Sequence, residues 1–302
     1  MSDLPVGLLL VDKPEGPTSH DIVAWVRRAS GQRRVGHAGT LDPMASGLLP
    51  LVLGAATRLV RFLPSEPKVY RGRFELGWTS HTDDVTGRPL ARHDGPLPDA
   101  DAVIRASGEL EGERPQIPPS VSARKVGGVR MYRLARRGVA VEAPASTVVV
   151  AGFEIEPTAD PATFRFRVDV SSGTYVRALV RDLGQCLGCG AVLAELRRTR
   201  IGPLRVEDAL GLDITADTSA APVGRSVIPL NAMPLTPPAV RLDEAATASF
   251  LHGRAVPAGP ANPAGPVRAV GPDGRLLGVA EAADGLIQPR VVVADGPGDP
   301  DR

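Results

Sequence analysis

Fifteen consecutive residues constrain this chain more than any other stretch. Gly36-His37-Ala38-Gly39-Thr40-Leu41-Asp42-Pro43-Met44-Ala45-Ser46-Gly47-Leu48-Leu49-Pro50 sets three glycines and two prolines around a single acid. Glycine carries a conformational-entropy cost in regular structure and proline lacks a donor, so the segment reads as a loop rather than a helix or central strand. Pro43 biases Asp42 toward extended geometry and fixes its carboxylate between the apolar Leu41 and Met44. An acid in that setting is either an Asx-type turn or helix cap, or a chemical group. A phosphate loop does not fit, because neither Gly36 nor Gly39 leads into the Gly-Lys-Ser/Thr of a Walker sequence. Zinc binding through His37 does not fit either, with no cysteine or second histidine at ligand spacing nearby.

The flanking segments alternate between strand and helix patterns. Val6 to Val11 is a short apolar run closed by Asp12-Lys13-Pro14-Glu15-Gly16-Pro17, which predicts a buried strand entering a turn. A helix follows, with Thr18 or Ser19 as cap, Asp21 completing a capping box, and Ile22, Val23 and Val26 at helical spacing up to Gly31. From Lys68 to Trp78 the chain alternates, placing Tyr70, Phe74, Leu76 and Trp78 on one face of a strand and Arg71, Arg73 and Glu75 on the other. Leu97 to Gly112 reads as a second helix, Phe164 to Val170 as a strand, and Tyr175 to Leu187 as a helix ending at Gly188. Residues 211–238 are rich in Ala, Pro, Thr and Ser and read as a linker. Beyond it lie a short strand from Val240, a helix over Asp243 to His252 and strands around Pro272-Asp273-Gly274, which together suggest a small β-rich module over 239–295 with a disordered tail at 296–302.

Charge is informative only when read locally. The 302 residues carry 35 Lys plus Arg against 34 Asp plus Glu, a net charge of +1 that offers no global attraction to nucleic acid. Residues 1–210 nevertheless hold 28 basic and 24 acidic side chains, whereas 211–302 hold 7 and 10, so the near-zero total is a cancellation. Arg114 to Arg137 contains seven basic residues and no acid, too lopsided for a salt-bridged surface. Cys186 and Cys189 have the spacing of a redox pair, but their place at a helix end favours packing. No apolar stretch approaches the ~20 residues needed to span a bilayer, and no signal segment opens the chain, so a cytoplasmic location is expected.

The Gly36–Pro50 segment closely resembles motif II of the TruB-type bacterial tRNA pseudouridine(55) synthases. The resemblance continues through Gly7-Leu8-Leu9-Leu10-Val11-Asp12-Lys13-Pro14, Tyr70-Arg71, Gln116-Ile117-Pro118-Pro119, Gly173-Thr174-Tyr175-Val176-Arg177 and Leu196-Arg197-Arg198, in order and over about two thirds of the chain. It implies an α+β pseudouridine synthase fold: a mixed, mostly antiparallel sheet flanked by helices and loops at 1–210, with a small β-rich PUA-like domain after the linker. The implied activity is isomerisation of the uridine at position 55 in the T loop of tRNA, by base flipping, without metal or cofactor. Asp42 matches the catalytic aspartate, as nucleophile at C1′ or as base at the 2′ position. Tyr70 matches the tyrosine that stacks on the target base and moves the C5 proton, and Arg177 the arginine that pairs with the aspartate. His37 matches the histidine that fills the space left by the flipped nucleotide, and Leu196 an apolar residue of the base pocket.

Residues 114–137 match an insertion that grips RNA, which points to Arg124, Lys125, Arg130, Tyr132 and Arg133 as substrate contacts. The resemblance further implies a monomer that needs no guide RNA, obligate protein partner or membrane. A tRNA-folding or RNA-binding role that does not depend on catalysis is the alternative from a different class, and a guide-dependent relative acting on ribosomal RNA is a third, disfavoured by the lack of long basic tails. Two positions depart from the pattern: His81 stands where an Asp is common, with Asp83 and Asp84 retained, and Val121 where an aromatic is common.

Overall fold

The computed structural model describes residues 4–121, 125, 126, 129–131, 144–214, 223–259 and 263–293, with side chains described at all of these except 125–130. An 11-stranded sheet dominates. Its principal strands in chain order are β1 (Gly7–Lys13), β2 (Val35–His37), β3 (Ala45–Leu53), β4 (Lys68–Leu76), β5 (Gly112–Gln116), β6 (Ser146–Pro157), β7 (Thr163–Val170) and β8 (Ala191–Ile201). They lie in the order β1-β3-β8-β4-β7-β6-β5, with β2 added to β3. Neighbours run antiparallel except β3 and β8, which are parallel.

Helices α1 (Ser19–Ser30), α2 (Ala100–Gly108) and α3 (Val176–Cys186) share one apolar cluster with this sheet. Ile22, Val26, Leu179 and Leu183 meet Leu9, Val11, Tyr70, Phe74 and Phe166 there. The other phase of the same strands, Leu8, Leu10, Leu48 and Val52, packs against Ala56 and Leu59 of a 3-10 helix at Gly54–Phe62. The uninterrupted leucines of β1 are therefore buried on both faces, as the apolar run at the N-terminus implied. Sequence signals set the ends of α1 sharply: Thr18 and Asp21 form the capping box, and Gly31 closes the helix in the left-handed region at φ 68°.

The expectation that all of 36–50 is a loop is corrected. Only the part between β2 and β3 is irregular; Ala45 to Pro50 belongs to β3, in the middle of the sheet. Gly47, at φ 101°, lies so close to β8 that a Cβ there would sit 2.3 Å from the Arg198 carbonyl oxygen. Pro50 is tolerated for a different reason. Its carbonyl accepts from Ala38 N at 2.9 Å, so its nitrogen faces the same edge, between the β8 pairing at Ala45–Gly47 and the β2 pairing at Leu51–Leu53. A missing N–H there removes no ladder bond.

Three smaller expectations are also adjusted. The strand begun at Lys68 ends at Leu76, because Gly77 at φ 91° turns the chain and Trp78–Ser80 pairs instead with Pro89–Arg92. The helix expected over 97–112 is confined to Ala100–Gly108, where Asp99 caps its start by accepting from Ala102 N at 2.8 Å. The stretch expected as a linker contributes to the sheet, since Val227–Pro229 pairs with β1 at Gly7–Leu9. The segments at 215–222 and 294–302, including the expected tail, lie outside the described residues.

A second, five-stranded sheet contains β9 (Ala239–Arg241), β10 (Val256–Pro257), β11 (Gly265–Val270), β12 (Leu276–Ala283) and β13 (Leu286–Val292), in the order β9-β11-β12-β13-β10. Helix α4 (Glu244–Leu251), capped by Asp243, packs on it through Phe250. Leu276, Val279 and Val291 extend the apolar cluster under Leu8 and Leu48, so the small sheet and the large one share buried surface.

Candidate active site

Asp42 lies in the turn between β2 and β3, where Ala45 N donates to its carbonyl at 3.0 Å. Among the described residues the carboxylate is held by Arg177, which donates to Asp42 Oδ2 from Nε at 3.0 Å and approaches it through Nη2 at 2.8 Å. The two side chains are unlike in exposure, 40% for Asp42 and 6% for Arg177, so the acid faces outward from a buried cation. Arg177 spends its other donors on backbone, from Nη1 to the Thr82 carbonyl at 2.8 Å and from Nη2 to that of Val121 at 3.0 Å. A second carboxylate, Asp84, sits 3.6 Å from Nη1. Its other oxygen is saturated, accepting from Thr82 Oγ1 at 2.8 Å, Thr86 N at 3.0 Å and Thr86 Oγ1 at 2.6 Å.

Arg177 occupies the first turn of α3, where the helix macrodipole opposes a cation by ~0.3–1 kcal/mol. Two carboxylates against one guanidinium reverse that cost and leave the guanidinium plane no freedom to turn. The start of α3 has no side-chain cap of its own at Tyr175. Gln116, buried at the end of β5, supplies one from outside: its Oε1 accepts from Tyr175 N at 2.8 Å and its Nε2 donates to Tyr175 O at 3.2 Å.

The loop around Asp42 has little regular structure, and side chains satisfy its backbone. Lys13 Nζ donates to the carbonyls of Pro14 at 2.8 Å, Pro43 at 3.3 Å and Ala45 at 2.6 Å. Arg198 donates to Leu48 O at 2.8 Å, Thr40 O at 3.4 Å and Gly39 O at 3.2 Å. Ser19 Oγ accepts from Leu41 N at 2.9 Å and donates to Leu41 O at 3.0 Å. All three side chains are buried. Burial draws the Lys13 ammonium down to about 8, against the opposing pull of the Asp42 and Glu15 carboxylates. Carbonyl dipoles rather than acids thus solvate two buried cations directly beneath the catalytic candidate.

Tyr70 and Leu196 lie on the same apolar cluster as Leu41, the residue before Asp42, and Met44 packs against that cluster. Tyr70 is paired across the sheet with Val168 and Arg198, and Leu196 with Ala45 and Gly72. Gly72 leaves room for the Phe166 ring, which a Cβ would approach to 2.7 Å. His37 ends β2, and its ring meets that of His20 edge-on, centroids 5.5 Å apart. A cleft of about 310 Å³ is lined by Met44, Ser46, Arg71, Arg73, Arg165 and Leu196 among others, and Asp42, Tyr70 and Arg177 are not on its walls.

The structure therefore brings Asp42 and Arg177 into direct contact and sets Tyr70 and Leu196 on the packing beneath them. The arginine at position 114 lies 3.8 Å from Asp182. The backbones of Lys125 and Arg130 face each other in a two-stranded pairing; their side chains, with Arg124, Tyr132 and Arg133, lie outside the described residues. The two departures have local explanations. His81 Nδ1 accepts from Arg88 N at 2.8 Å, an acceptor role open equally to a carboxylate, and Val121 serves Arg177 through its carbonyl, which any side chain leaves in place. Burial pushes the Cys189 thiol up, contrary to what a redox pair needs.

Sequence reasoning assigned no role at the site to Lys13, Asp84, Gln116 or Arg198, and to Ser19 only that of a candidate helix cap. Two of these carry a signal in phase: Arg198 follows Leu196 by two residues on a strand, and Lys13 follows Val11, so each places a cation on a core-facing position.

Family models match along most of the chain. Residues 27–176 match the TruB family pseudouridylate synthase N-terminal domain, 177–221 the tRNA pseudouridylate synthase B C-terminal domain, and 238–293 the pseudouridine synthase II TruB C-terminal model. The chain is 44% identical over 296 residues to the tRNA pseudouridine synthase B of Thermobifida fusca (strain YX), covering 95% of this chain and 98% of that protein. It is 40% identical over 296 residues to that of Burkholderia mallei (strain NCTC 10247), covering 96% and 97%. Among solved structures it is similar to a chain of a Cbf5-Nop10-Gar1 complex, with a TM-score of 0.70, 28% identity and coverage of 96% of this chain and 86% of that one. The large sheet with its helices is the pseudouridine synthase fold, and the β-rich C-terminal unit is PUA-like. On these matches the chain belongs to the TruB family of pseudouridine synthases.

Proposed function

We propose that this protein converts uridine 55 in the T loop of tRNA to pseudouridine, in the cytoplasm, as a monomer without guide RNA. The observation that carries the reading is the Asp42 carboxylate, exposed to 40% yet held by the fork of the buried Arg177. An outward-facing acid on a loop suits a substrate delivered as an extruded base. The names of the tRNA pseudouridine synthase B relatives supply the class of substrate.

Chemically, the N1–C1′ bond breaks, the base turns in place, and C5 joins C1′, with a proton lost from C5 and one gained at N1. Asp42 serves as nucleophile at C1′ or as base for the 2′ hydrogen. Arg177 holds the carboxylate oriented in either route. Tyr70 stacks on the turning base and handles the C5 proton, Leu196 bounds the base, and His37 enters the space the flipped nucleotide leaves. Arg124, Lys125, Arg130, Tyr132 and Arg133 grip the T arm, making binding salt-sensitive.

The test is release of tritium from unmodified tRNA labelled at uridine C5. Wild type should release it, from whole tRNA and from a bare T-arm hairpin, and Asp42→Asn should not. A wild-type protein that releases none, or an active Asp42→Asn variant, sinks the reading; release only with an added guide RNA or partner sinks its monomer clause.

A further inference from the structure

The first turn of α1 touches the Asp42 loop at two points that the chemistry above does not use. Ser19, the first helical residue, is 1% exposed, and its hydroxyl both accepts from Leu41 N at 2.9 Å and donates to Leu41 O at 3.0 Å. One hydroxyl has one donor and two lone pairs, so this single side chain meets both backbone groups of the residue before Asp42. Leu41 is itself buried, so water has no ready access to replace either bond. The next residue along the helix, His20, is exposed, and its ring meets the ring of His37 at a centroid distance of 5.5 Å and an interplanar angle of 76°. That edge-to-face arrangement is a preferred one between aromatic rings. His37 is the last residue of β2, and its pairing with Leu51 is the last of that ladder, so the ladder stops at the point where the ring projects.

The turn is firm enough to act on the loop. Thr18 Oγ1 accepts from Asp21 N at 3.1 Å, while Asp21 Oδ2 accepts from Thr18 N at 2.8 Å. Hydrogen bonds from Thr18 hold the Asp21 carboxyl below its ordinary value, so the box persists through the neutral range. Behind it Ile22, Val23 and Val26 anchor the helix in the core.

We propose that this turn is a two-point brace in which Ser19 is the positioning residue for Asp42 and His20 the positioning residue for His37. The proposal rests on the roles given to Asp42 and His37 above. It separates two functions by one residue of helix: Ser19 governs the chemical step through the backbone at Leu41, and His20 governs tRNA engagement through a ring that must already be aimed when the T loop arrives. Pre-orientation of this kind lowers the ordering cost of binding.

The experiment measures kcat and KM for tritium release from tRNA, with tRNA affinity and thermal midpoint, for single substitutions. Ser19→Ala should lower kcat by about 10–100-fold, the scale of a small misplacement of a reacting group, and leave the tRNA KM within about twofold. Ser19→Thr, which keeps a hydroxyl on the same carbon, should recover most of that loss. His20→Ala should raise KM about 3–10-fold with kcat close to wild type, matching loss of one ring contact. His20→Phe should restore KM, and the double variant His20→Ala/His37→Ala should bind no worse than His37→Ala alone. Equal losses in kcat and affinity for Ser19→Ala, no rescue by Ser19→Thr, or additive losses for the two histidines overturn the brace. If wild type releases no tritium, or His37→Ala leaves KM unchanged, the functional reading fails instead.

Discussion

Arg177 shows how much one side chain's geometry decides at this site. It offers Nε and Nη2 to Asp42 and the remaining donors to Thr82 O, Val121 O and, at 3.6 Å, Asp84, a planar fork with every direction used. A lysine keeps the charge and none of that directionality. Arg177→Lys should therefore lower the single-turnover rate by about 100-fold while tRNA affinity stays near wild type, since the loss falls on carboxylate orientation. A variant with a normal rate would show that charge alone suffices. Lys13 poses a different residue-scale question, because it is fully buried and stabilises the loop only by solvating itself with carbonyls. Its pKa falls from 10.5 to about 8 on folding, so the unfolded chain binds that proton more tightly. The stability it contributes is thus complete above pH 10.5 and is lost as pH falls through 8. Denaturant midpoints of wild type relative to Lys13→Met should rise between about pH 8 and 10.5 and stay level below that window; a level difference across the window contradicts the burial.

Elements were legible in the sequence wherever their boundaries are local. The capping box at Thr18 and Asp21 and the left-handed Gly31 define α1 with no help from the rest of the chain. Thr18→Ala should accordingly cost about 0.5–2 kcal/mol, read as a lower urea midpoint with an unchanged slope. β3 was illegible for the opposite reason. Its glycine and proline violate strand preference, and what permits them is tertiary: the backbone of Arg198 packed against Gly47, and the gap beside Pro50 between two paired segments. Gly47→Ala tests that directly. With φ at 101° and a Cβ 2.3 Å from a carbonyl oxygen, it should destabilise by at least ~2 kcal/mol, whereas an ordinary loop glycine would tolerate the change within ~1 kcal/mol. The candidate site divides along the same line. Asp42, Tyr70 and Arg177 were proposed from motifs contiguous in sequence, whereas Ser19, Gln116 and Arg198 act on backbone that lies 22, 59 and 150 or more residues away.

At the scale of the molecule, the net charge of +1 concealed an unequal division, with an excess of cations in residues 1–210 and an excess of acid beyond. That contrast suggests two separable bodies, and the packing argues otherwise. Leu276, Val279 and Val291 of the small sheet share a buried cluster with Leu8, Leu10 and Leu48 of the large one. Hydrogen bonds cross at the same place, from Leu276 N to Asn231 Oδ1 at 2.8 Å and from Arg58 Nη1 to Val292 O at 2.8 Å. Since β1 contributes Leu8 and Leu10 to this shared cluster and Leu9 and Val11 to the core under the helices, and β3 divides Leu48 and Val52 from Leu49 and Leu51 in the same way, a disturbance at the interface reaches the central sheet through both strands. Both tryptophans, Trp25 and Trp78, lie in the large unit and report on it alone. Leu276→Ala removes a buried side chain at a cost of about 2–5 kcal/mol. If the two units melt as one, tryptophan fluorescence and far-ultraviolet circular dichroism should give coincident transitions in wild type, and Leu276→Ala should lower both midpoints together. Should the fluorescence midpoint stay fixed while the dichroism splits into two steps, the shared cluster does not couple the units, and the small sheet behaves as an independent module despite its contact with β1.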